Sequence, residues 1–467
     1  MIPVRMLWHY FRARRLRFRD RAALERWQAR QLQRFARQVM AKSPFYAPFC
    51  HLPLSSWPLS DKAQMMTHFD QMNTAGLQVD TLLQCALKSE QDRDFAPKVG
   101  RFSVGLSSGT SGRRGVFVVS PREQRIWAGG MLAKMLPRGL LSGERVALFL
   151  RADNHLYHSV NTRWLSLAFF DLFAPFSEHL RTLPAFAPTI IVAPAQVLRA
   201  LALAVQGGQL KLSVSRVISV AEVLEPQDRQ LLETVFGDVA EVYQATEGFL
   251  AASCSHGRLH LNEEFIHVEP EWIDERRFTP VITDFSRRTQ PVIRYRLDDV
   301  LVAANEPCPC GQPTRVLEAI EGRRDDQLLL PDMKGDVQAV FADVCSRAIA
   351  RSLPLTSDYR LVQTGMLDVQ LISDADEASL VACQQALIAL FAQQGIATER
   401  LCWQLSVQPL MPQFDRKRRR IIRQKEKAYE SVTSLSGNAV GLGQCRRDLH
   451  VQRSLAGARH GDAPRFR

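Results

Sequence analysis

The most informative segment of the chain reads Phe102-Ser103-Val104-Gly105-Leu106-Ser107-Ser108-Gly109-Thr110-Ser111-Gly112-Arg113-Arg114-Gly115, a loop rich in serine and glycine between two short apolar runs. Glycine allows backbone conformations and close approaches that a Cβ would forbid, and the hydroxyls offer hydrogen-bond donors. Such a loop is suited to binding a polyphosphate, although ordinary turns share its composition. It matches neither the G-x-x-x-x-G-K-[ST] P-loop nor G-x-G-x-x-G, which disfavours the common nucleotide-binding folds.

Apolar runs of strand length alternate with helical spacing on both sides of this loop. The sequence predicts strands at Phe102–Leu106, Val116–Val119, Arg145–Leu150, Ile190–Ala193, Arg216–Val220, Val239–Tyr243, Val281–Phe285 and Val300–Ala303. Helical spacing lies between them, for example at Gln196–Val205 and Pro226–Phe236. This alternation predicts an α/β fold whose sheets are mainly buried.

Two further regions flank this large unit, for which we predict residues 46–321. Apolar residues at helical spacing among many arginines from Arg12 to Met40 predict a basic N-terminal helix, in residues 1–45, packed on the large domain. Residues 322–430 are expected to form a small α+β domain, with helices at Val337–Arg351 and Glu377–Gln394 and strands at Tyr359–Gln363, Asp368–Ile372 and Leu401–Val407. The composition of residues 431–467 predicts a disordered tail.

The positive charge of the chain is concentrated at its ends. The 467 residues carry a net charge of +12, but residues 1–45, 411–430 and 431–467 contribute +10, +5 and +4, which leaves −7 for residues 46–410. A mildly acidic body does not have the charge distribution of a general polyanion binder. Because 46% of the residues are apolar, the chain can bury at least one large core.

Cysteine usage and hydropathy suggest the cellular compartment. The nine cysteines are odd in number and scattered, and no secretory leader precedes them, which favours a reducing compartment over a disulfide scaffold. The sequence contains no apolar run of about 18 residues, the length needed to cross a membrane. We therefore expect a soluble, cytoplasmic protein.

Four further motifs follow the loop in order along the chain. They are Tyr243-Gln244-Ala245-Thr246-Glu247-Gly248, Ile293-Arg294-Tyr295-Arg296-Leu297-Asp298-Asp299-Val300, Gly322-Arg323-Arg324-Asp325-Asp326-Gln327 and Pro412-Gln413-Phe414-Asp415-Arg416-Lys417-Arg418-Arg419-Arg420. Together with the loop, this set resembles the adenylate-forming superfamily, specifically the branch that contains phenylacetate-CoA ligase and the synthetase that adenylylates a deazaflavin coenzyme. The resemblance covers roughly residues 30–430 and implies a large multi-sheet N-terminal domain with a small, mobile C-terminal cap.

The resemblance implies which residues hold ATP and magnesium. The loop would grip the β- and γ-phosphates through Ser107, Ser108, Gly109, Thr110, Ser111 and Gly112. Tyr243 would lie against the adenine, Thr246 near the α-phosphate, and Glu247 would bind Mg²⁺. Asp299 would hold the ribose hydroxyls and Arg323 would lie by the nucleotide.

Three further residues complete this expected site. Glu222 would lie along the adenine, although a glutamate after a strand is also typical of a helix N-terminus. Asp325 would be the hinge of the small domain, although an Asp-Asp pair also suits a solvated turn. Lys417 would bridge the α-phosphate and the substrate carboxylate. No general base is required, because a carboxylate is already ionised at pH 7.

The sequence departs from the family pattern at three positions, none of which removes an expected ligand. Arg113 and Arg114 stand where the glycine-rich loop usually carries a lysine, and they resemble a point charge less closely. Asp298 and Arg416 replace glycines that usually precede the ribose aspartate and the late lysine. These changes put the geometry of the loops in question.

Two cysteine-containing segments predict a second, structural site. They are Cys254-Ser255-His256-Gly257-Arg258-Leu259-His260 and Cys308-Pro309-Cys310-Gly311. Thiolate and imidazole groups in two short clusters supply the four ligands of a tetrahedral zinc site, and relatives in this branch share the pattern. The predicted ligands are Cys254, His260, Cys308 and Cys310, with His256 as a substitute; the alternative is thiols without metal.

The sequence therefore predicts an AMP-forming enzyme that converts a carboxylic acid and MgATP into an acyl adenylate, followed by transfer to the thiol of CoA or of an acyl carrier protein. The basic run Arg416–Lys427 is either a solvated surface or a site for the phosphates of CoA or an acidic carrier, whereas nucleic acid is disfavoured. One alternative is an AMP transferase that modifies a hydroxyl acceptor. Another is a basic peripheral binding protein without catalysis.

Overall fold

The computed structural model of the chain describes residues 4–92, 96–106, 115–150, 161–162, 164–323, 327–414 and 416–424, and only the backbone of Arg323. These residues divide into two compact units, the first within Met1–Asp325 and Pro412–Arg418, the second within Asp326–Met411 and Arg419–Arg467. The segment Pro412–Arg418, predicted as part of the small domain, thus belongs to the first unit. The predicted tail, 431–467, lies outside the described residues.

The first unit contains both helices and strands. Its described α-helices are α1 Val4–Arg15, α2 Arg21–Gln38, α3 Lys62–Thr67, α4 Phe69–Met72, α5 Val79–Asp92, α6 Pro121–Met135, α7 Phe176–Phe186, α8 Ala195–Gln206 and α9 Pro226–Phe236. Its strands are β1 Lys98–Val99, β2 Phe102–Leu106, β3 Val116–Val119, β4 Glu144–Leu150, β5 Leu165–Asp171, β6 Ile190–Ala193, β7 Arg216–Ser219, β8 Val239–Ala245, β9 Gly248–Ser253, β10 Leu259–Leu261, β11 Ile266–Trp272, β12 Arg277–Asp284, β13 Tyr295–Arg296, β14 Asp299–Ala303 and β15 Val316–Arg323. The predicted α/β class is confirmed.

A twelve-stranded sheet forms the framework of this unit. Its order is β11-β12-β14-β15-β10-β9-β8-β7-β6-β4-β5, and β13 pairs with β12. Strands β5, β4, β6, β7 and β8 are parallel, and pairing is antiparallel from β8 through β9 to β12. All four residues of β6 and of β7 are buried, because helices cover both faces of a parallel sheet. The sheet therefore changes from parallel to antiparallel where β8 turns into β9.

A separate three-stranded sheet, β1-β2-β3, carries the two ends of the predicted phosphate loop. Leu106, at the end of β2, pairs with Val116, at the start of β3, so the loop joins the two strands of one antiparallel hairpin. Ser107, Ser108, Gly109, Thr110, Ser111 and Gly112 themselves lie outside the described residues. Their expected role as phosphate ligands remains a prediction.

The N-terminal region forms two helices where the sequence predicts one. The chain breaks between Arg15 and Arg21 because the Asp20 carboxylate caps α2 by accepting a hydrogen bond from the amide of Ala23, at 2.7 Å. Helix α1 packs against α6 at Gly129, where a Cβ would lie 2.7 Å from the Cβ of His9. Only glycine allows the two helices to approach so closely.

The described part of the second unit contains a hairpin, a four-stranded sheet and two α-helices. Its elements are β16 Leu328–Pro331, β17 Val337–Val340, α10 Ala342–Ala350, β18 Tyr359–Gln363, β19 Asp368–Ser373, α11 Glu377–Gln393, β20 Cys402–Val407 and β21 Ile421–Arg423, and the larger sheet has the order β20-β19-β18-β21. The predicted helix Val337–Arg351 is wrong in its first turn, because residues 337–340 pair with β16. Within the described residues, no helix is long and apolar enough to cross a membrane.

Candidate active site

The Tyr-x-x-Thr-Glu-Gly motif forms the tight turn between β8 and β9. Ala245 pairs with Gly248, which leaves Thr246 and Glu247 as the two central residues of the hairpin. Tyr243, two residues before the turn, is buried, and its hydroxyl donates a hydrogen bond to the carboxylate of Asp299, at 2.5 Å. The structure thus brings together two of the residues predicted to bind the nucleoside, although they are 56 positions apart.

Glu247 lies among acidic neighbours and has a perturbed pKa. Burial raises this pKa and the charge of Asp299 raises it further, while a hydrogen bond from the Tyr295 hydroxyl and the charge of Arg287 oppose the increase. Burial, followed by the charge of Glu247, also raises the pKa of Tyr295. Two carboxylates in a desolvated setting favour a bound cation, because a cation stabilises their ionised forms.

The buried carboxylate of Asp284 lies against the β8–β9 turn and restricts its position. Asp284, at the end of β12, is only 2% exposed, and burial raises its pKa. Its Oδ1 accepts hydrogen bonds from the amide and hydroxyl of Ser286, at 2.7 and 2.6 Å. A Cβ on Gly248 would lie 2.8 Å from Asp284 Oδ2. The glycine of the motif is therefore required by the position of this carboxylate.

The segment after β12 also anchors the strand that follows the phosphate loop. The Gln290 side chain accepts a hydrogen bond from the amide of Val118 and donates one to the carbonyl of Val116, both in β3. Glu123, the third residue of α6, accepts bonds from the amide and hydroxyl of Thr289, at 2.8 and 2.7 Å. Although burial opposes it, the charge of Arg287 helps to hold the pKa of Glu123 below its ordinary value.

The arginines of the Arg-Tyr-Arg motif have structural partners. Arg294 donates to Glu269, and Arg296 forms two hydrogen bonds with Glu271, both acids lying on β11. The Tyr295 hydroxyl between them instead donates a hydrogen bond to Glu247. Only the tyrosine of this trio therefore belongs to the site.

The predicted residues at the end of the first unit are described only in part. The backbone of Arg323 pairs with Asp299 across β14 and β15, which places this residue at the ribose end of the expected site. Its side chain is not described. The predicted hinge, Asp325, lies outside the described residues, so its role remains a prediction.

The segment that carries Lys417 is held on the first unit by its two neighbours in the chain. Glu222 accepts a hydrogen bond from the amide of Arg418, at 3.0 Å, and another from the Gln196 side chain, at 2.7 Å. The same Gln196 amide group donates to the carbonyl of Arg416, at 2.7 Å. These bonds fix the backbone on both sides of Lys417, whose side chain is half-buried. Glu222 therefore has a positioning contact in addition to its predicted place along the adenine.

Two side chains strengthen this attachment. The guanidinium of Arg418 forms an ion pair with Asp228, which is fully buried and also pairs with Arg199, at 3.0 Å. The ring of Phe414 packs against Phe176, with 5.3 Å between ring centroids. At least one cation of the basic run, Arg418, is therefore part of a buried ion pair rather than a solvated surface.

The predicted zinc ligands come together in a second cluster. The ligand atoms of Cys254, His260, Cys308 and Cys310 all lie within 4.8 Å of one another. The Sγ atoms of Cys254 and Cys308 are 3.6 Å apart, and Cys310 Sγ is 3.5 Å from His260 Nε2. A tetrahedral site with zinc–ligand distances of about 2.0–2.3 Å requires ligand separations of roughly this size.

Local turns explain how short segments deliver these ligands. The amide of Gly257 donates to the carbonyl of Cys254, and the amide of Gly311 donates to the carbonyl of Cys308. Both glycines have positive φ, +70° and +71°, which other residues adopt at a cost. His260 Nδ1 lies 2.9 Å from the Thr314 hydroxyl, which leaves Nε2 directed at the cluster. The substitute ligand His256 is exposed and lies outside the group.

Comparisons with known proteins identify the fold. No protein-family model matches the sequence, and no curated protein matches it. A crystal structure of 2-hydroxyisobutyryl-CoA ligase in the postadenylation state, in complex with 2-HIB-AMP, matches with a TM-score of 0.62 and 18% identity over 85% of this chain and 89% of that chain. The GH3.15 acyl acid amido synthetase matches with a TM-score of 0.54 and 11% identity over 82% and 86%. The chain therefore has the fold of the adenylate-forming ligases, as predicted.

Several residues at the site belong to no recognisable sequence motif. They are Glu123, Gln196, Asp228, Asp284, Arg287 and Gln290. Asp284 gave one signal, since it is a charged residue inside the apolar run predicted as a strand at Val281–Phe285. The Nε of Arg287 is buried and, among the described residues, no group accepts a hydrogen bond from it.

Proposed function

We propose that this protein is an ATP-dependent, adenylate-forming enzyme of the adenylate-forming superfamily that converts a carboxylic acid into an acyl-AMP. The observation that carries the proposal is the convergence of Tyr243, Glu247 and Asp299 at the β8–β9 turn of a chain with the ligase fold. These are the residues that the motif resemblance independently assigns to adenine, magnesium and ribose. Motif order and three-dimensional proximity therefore support the same assignment.

The reaction joins two anions. An oxygen of the substrate carboxylate attacks the α-phosphorus of ATP, the bond to the β-phosphate breaks, and pyrophosphate leaves. The protein must reduce the repulsion between these anions and hold them in line. Arg287 suits the first task, because its buried Nε is a charged donor that lacks an acceptor among the described residues.

Glu247 offers the carboxylate oxygens that Mg²⁺ prefers; burial, together with the charge of Asp299, raises its pKa, so a bound cation would stabilise its ionised form. When bound, magnesium supplies neutralisation of the phosphate charge. Thr246 is proposed to place its hydroxyl near the α-phosphate from the same turn. Glu247 would therefore act by placing a negative charge where magnesium binds, and no side chain is required to remove a proton.

Lys417 is proposed to bridge the α-phosphate and the substrate carboxylate. A lysine acts at two anions only if its backbone is held in place. The Gln196 side chain donates to the Arg416 carbonyl and the Arg418 amide donates to Glu222, which provides this support. Glu222 thus connects the nucleotide edge of the sheet to the lysine segment. This connection supports a segment that positions Lys417 for catalysis, and it disfavours the alternative of a solvated basic run.

ATP–pyrophosphate exchange tests the first half-reaction. We expect exchange that depends on an added aryl or fatty acid, and a decrease of roughly 10²–10³-fold in Lys417→Ala, the size expected when one stabilising charge is removed from a transition state. Lys211→Ala removes an exposed lysine of the same unit and should retain wild-type exchange. Absence of exchange across a broad panel of acids, with folded protein, contradicts the proposal.

We further propose that the adenylate is passed to a thiol, either CoA or the phosphopantetheine of a carrier protein. The fold supports this step, since the ligase it matches was crystallised in complex with 2-HIB-AMP and CoA, with a TM-score of 0.54. The competing candidate is transfer of AMP to a hydroxyl acceptor. Mass spectrometry distinguishes them: an acyl thioester with free AMP supports the first, and an AMP-modified acceptor supports the second.

The four-residue cluster is proposed to hold a structural zinc ion. Its donor set, three thiols and one imidazole, is typical of closed structural zinc sites rather than catalytic ones, which keep a position open for water. The cluster joins the β9–β10 hairpin to the chain between β14 and β15. A bound ion there would stabilise the antiparallel part of the large sheet, and no step of the proposed reaction passes through it.

A further inference from the structure

The outer face of α1 carries an apolar stripe that the rest of the described chain does not cover. Val4, Trp8 and Phe11 are 81%, 59% and 49% exposed. Positions separated by four and three residues lie on one side of a helix. On the opposite side Met6, Tyr10 and Ala13 are buried against the body. The stripe therefore faces solvent while α1 itself is firmly attached.

Arginines accompany this stripe along the chain. The segment from Val4 to Arg19 contains six arginines and no aspartate or glutamate. The guanidinium of Arg15 lies 5.9 Å from the ring centre of Phe11, and that of Arg12 lies 5.5 Å from the ring centre of Trp8. The aromatic rings and the cations thus occupy the same strip of surface.

A hollow of about 510 Å³ adjoins the stripe between α1, α2 and the segment after β12. It is lined by the arginines Arg12, Arg34 and Arg288 and by aromatic rings that include Trp8 and Trp27. Among the described residues, no acidic side chain lines it. A hollow that combines three guanidinium groups with aromatic walls fits a phosphate that is attached to a less polar group.

The cations in this region repel one another. Burial, followed by the charge of Arg34, lowers the pKa of Arg12, and burial followed by the charge of Arg122 lowers that of Arg288. Burial and three neighbouring arginines lower the pKa of His9 to about 4. Within the described residues, Arg12, Arg34 and Arg288 form no ion pair with a carboxylate. An external anion would remove this repulsion.

We infer that α1 and the adjoining hollow form a docking surface for a membrane that contains anionic phospholipids. Val4, Trp8 and Phe11 would enter the boundary between head groups and acyl chains, and the hollow would hold a lipid phosphate. An interfacial helix combines this apolar line with arginines at its border, since arginine reaches the head groups while its stem lies along the apolar surface. Nucleic acid explains the arginines but not the exposed line through Val4. The surface uses no residue proposed to bind the nucleotide, although Phe285 and Arg288 belong to the segment after β12 that supports the proposed adenylation site.

Co-sedimentation of the full-length protein with vesicles tests this inference. We expect binding to phosphatidylcholine vesicles that contain phosphatidylglycerol, weak binding to phosphatidylcholine alone, and reduced binding at high salt. Trp8→Ala combined with Phe11→Ala should weaken binding roughly tenfold or more through lost apolar burial. Arg12→Gln combined with Arg34→Gln should weaken it roughly fivefold for each arginine removed.

Matched controls use exposed residues elsewhere. Trp272→Ala removes a tryptophan that is 51% exposed, and Arg351→Gln with Arg400→Gln removes two exposed arginines of the second unit. Both should bind vesicles as wild type does. Melting temperature and ATP–pyrophosphate exchange, measured without vesicles, should be unchanged in the α1 variants, which separates this inference from the proposed reaction. Equal binding by wild type and the Trp8/Phe11 variant, or binding to duplex nucleic acid that exceeds binding to anionic vesicles, overturns it.

Discussion

At the scale of single residues, the contact between Gly248 and Asp284 sets the geometry of the proposed site. The carboxylate is held by two hydrogen bonds from Ser286 and cannot move without breaking them. A methyl group at position 248 would lie 2.8 Å from its Oδ2. The β8–β9 turn would have to shift instead, and Glu247 would shift with it.

We therefore predict that Gly248→Ala decreases ATP–pyrophosphate exchange at least tenfold and lowers the free energy of unfolding by about 1–3 kcal/mol, the usual cost of overpacking. Exchange kinetics and urea unfolding measure the two effects. Gly130→Ala is the matched control, since the nearest atom to its Cβ is Phe265 Cζ at 3.3 Å and alanine favours a helix. A Gly248→Ala protein with normal exchange would show that the turn does not position Glu247.

Sequence reasoning was effective for residues in contiguous motifs and failed for those that support them. Tyr243 and Asp299 were predicted because each belongs to a recognisable string, and the structure joins them. Gln196 and Asp228 gave no signal, because their role depends on the segment 416–418, far along the chain, folding back onto α8 and α9. A single sequence does not reveal which distant segments meet.

At the scale of elements, the proposed zinc cluster spans the β9–β10 hairpin and the turn at Cys308–Gly311, which are also joined by a hydrogen bond from the Arg258 side chain to the carbonyl of Pro307. Cys308→Ser removes one of four ligands. We predict that it abolishes stoichiometric zinc in the purified protein and lowers the melting temperature by several degrees, because a closed structural zinc site contributes directly to folding stability.

Elemental analysis and thermal unfolding measure these effects. Cys50→Ser provides the control, because Cys50 is a free cysteine of the same unit that lies outside the cluster. A chelator should lower the melting temperature of the wild type and leave that of Cys308→Ser unchanged. Wild-type protein without zinc, with Cys308→Ser equally stable, would indicate a cluster of free thiols.

In the large sheet, the parallel strands β4, β6, β7 and β8 were predicted and β5 was missed, whereas most of the antiparallel strands were missed, and burial explains the difference. Strand β6 is covered on both faces and consists of buried apolar residues, so its sequence is a continuous apolar run with clear ends. Strand β11 alternates buried and partly exposed positions and includes Glu269 and Glu271, so it was missed. The segment that starts at Val337 suits an amphipathic helix as well as an amphipathic strand, and pairing with β16 selects the strand.

At the scale of the whole molecule, the residues proposed to bind the nucleotide all belong to the first unit. Tyr243, Glu247, Asp299 and Lys417 lie within Met1–Asp325 and Pro412–Arg418. The second unit has a hydrophobic core of its own, which includes Leu361, Leu371 and Phe391. A ligand stabilises the part of a protein whose native state it binds, by about 2.7 kcal/mol at a concentration 100 times its Kd.

We predict that AMP at about 100 times its Kd slows amide hydrogen exchange in β8 by up to roughly 100-fold and leaves the exchange rates of β18 and β19 unchanged. Exchange followed by mass spectrometry at peptide resolution measures both regions in one experiment. Tyr243→Ala, which loses the proposed adenine contact, should show little protection in either unit under the same conditions. Equal protection of β8 and β18 would mean that AMP stabilises the chain as one cooperative unit, and protection confined to β18 would remove the nucleotide from the first unit.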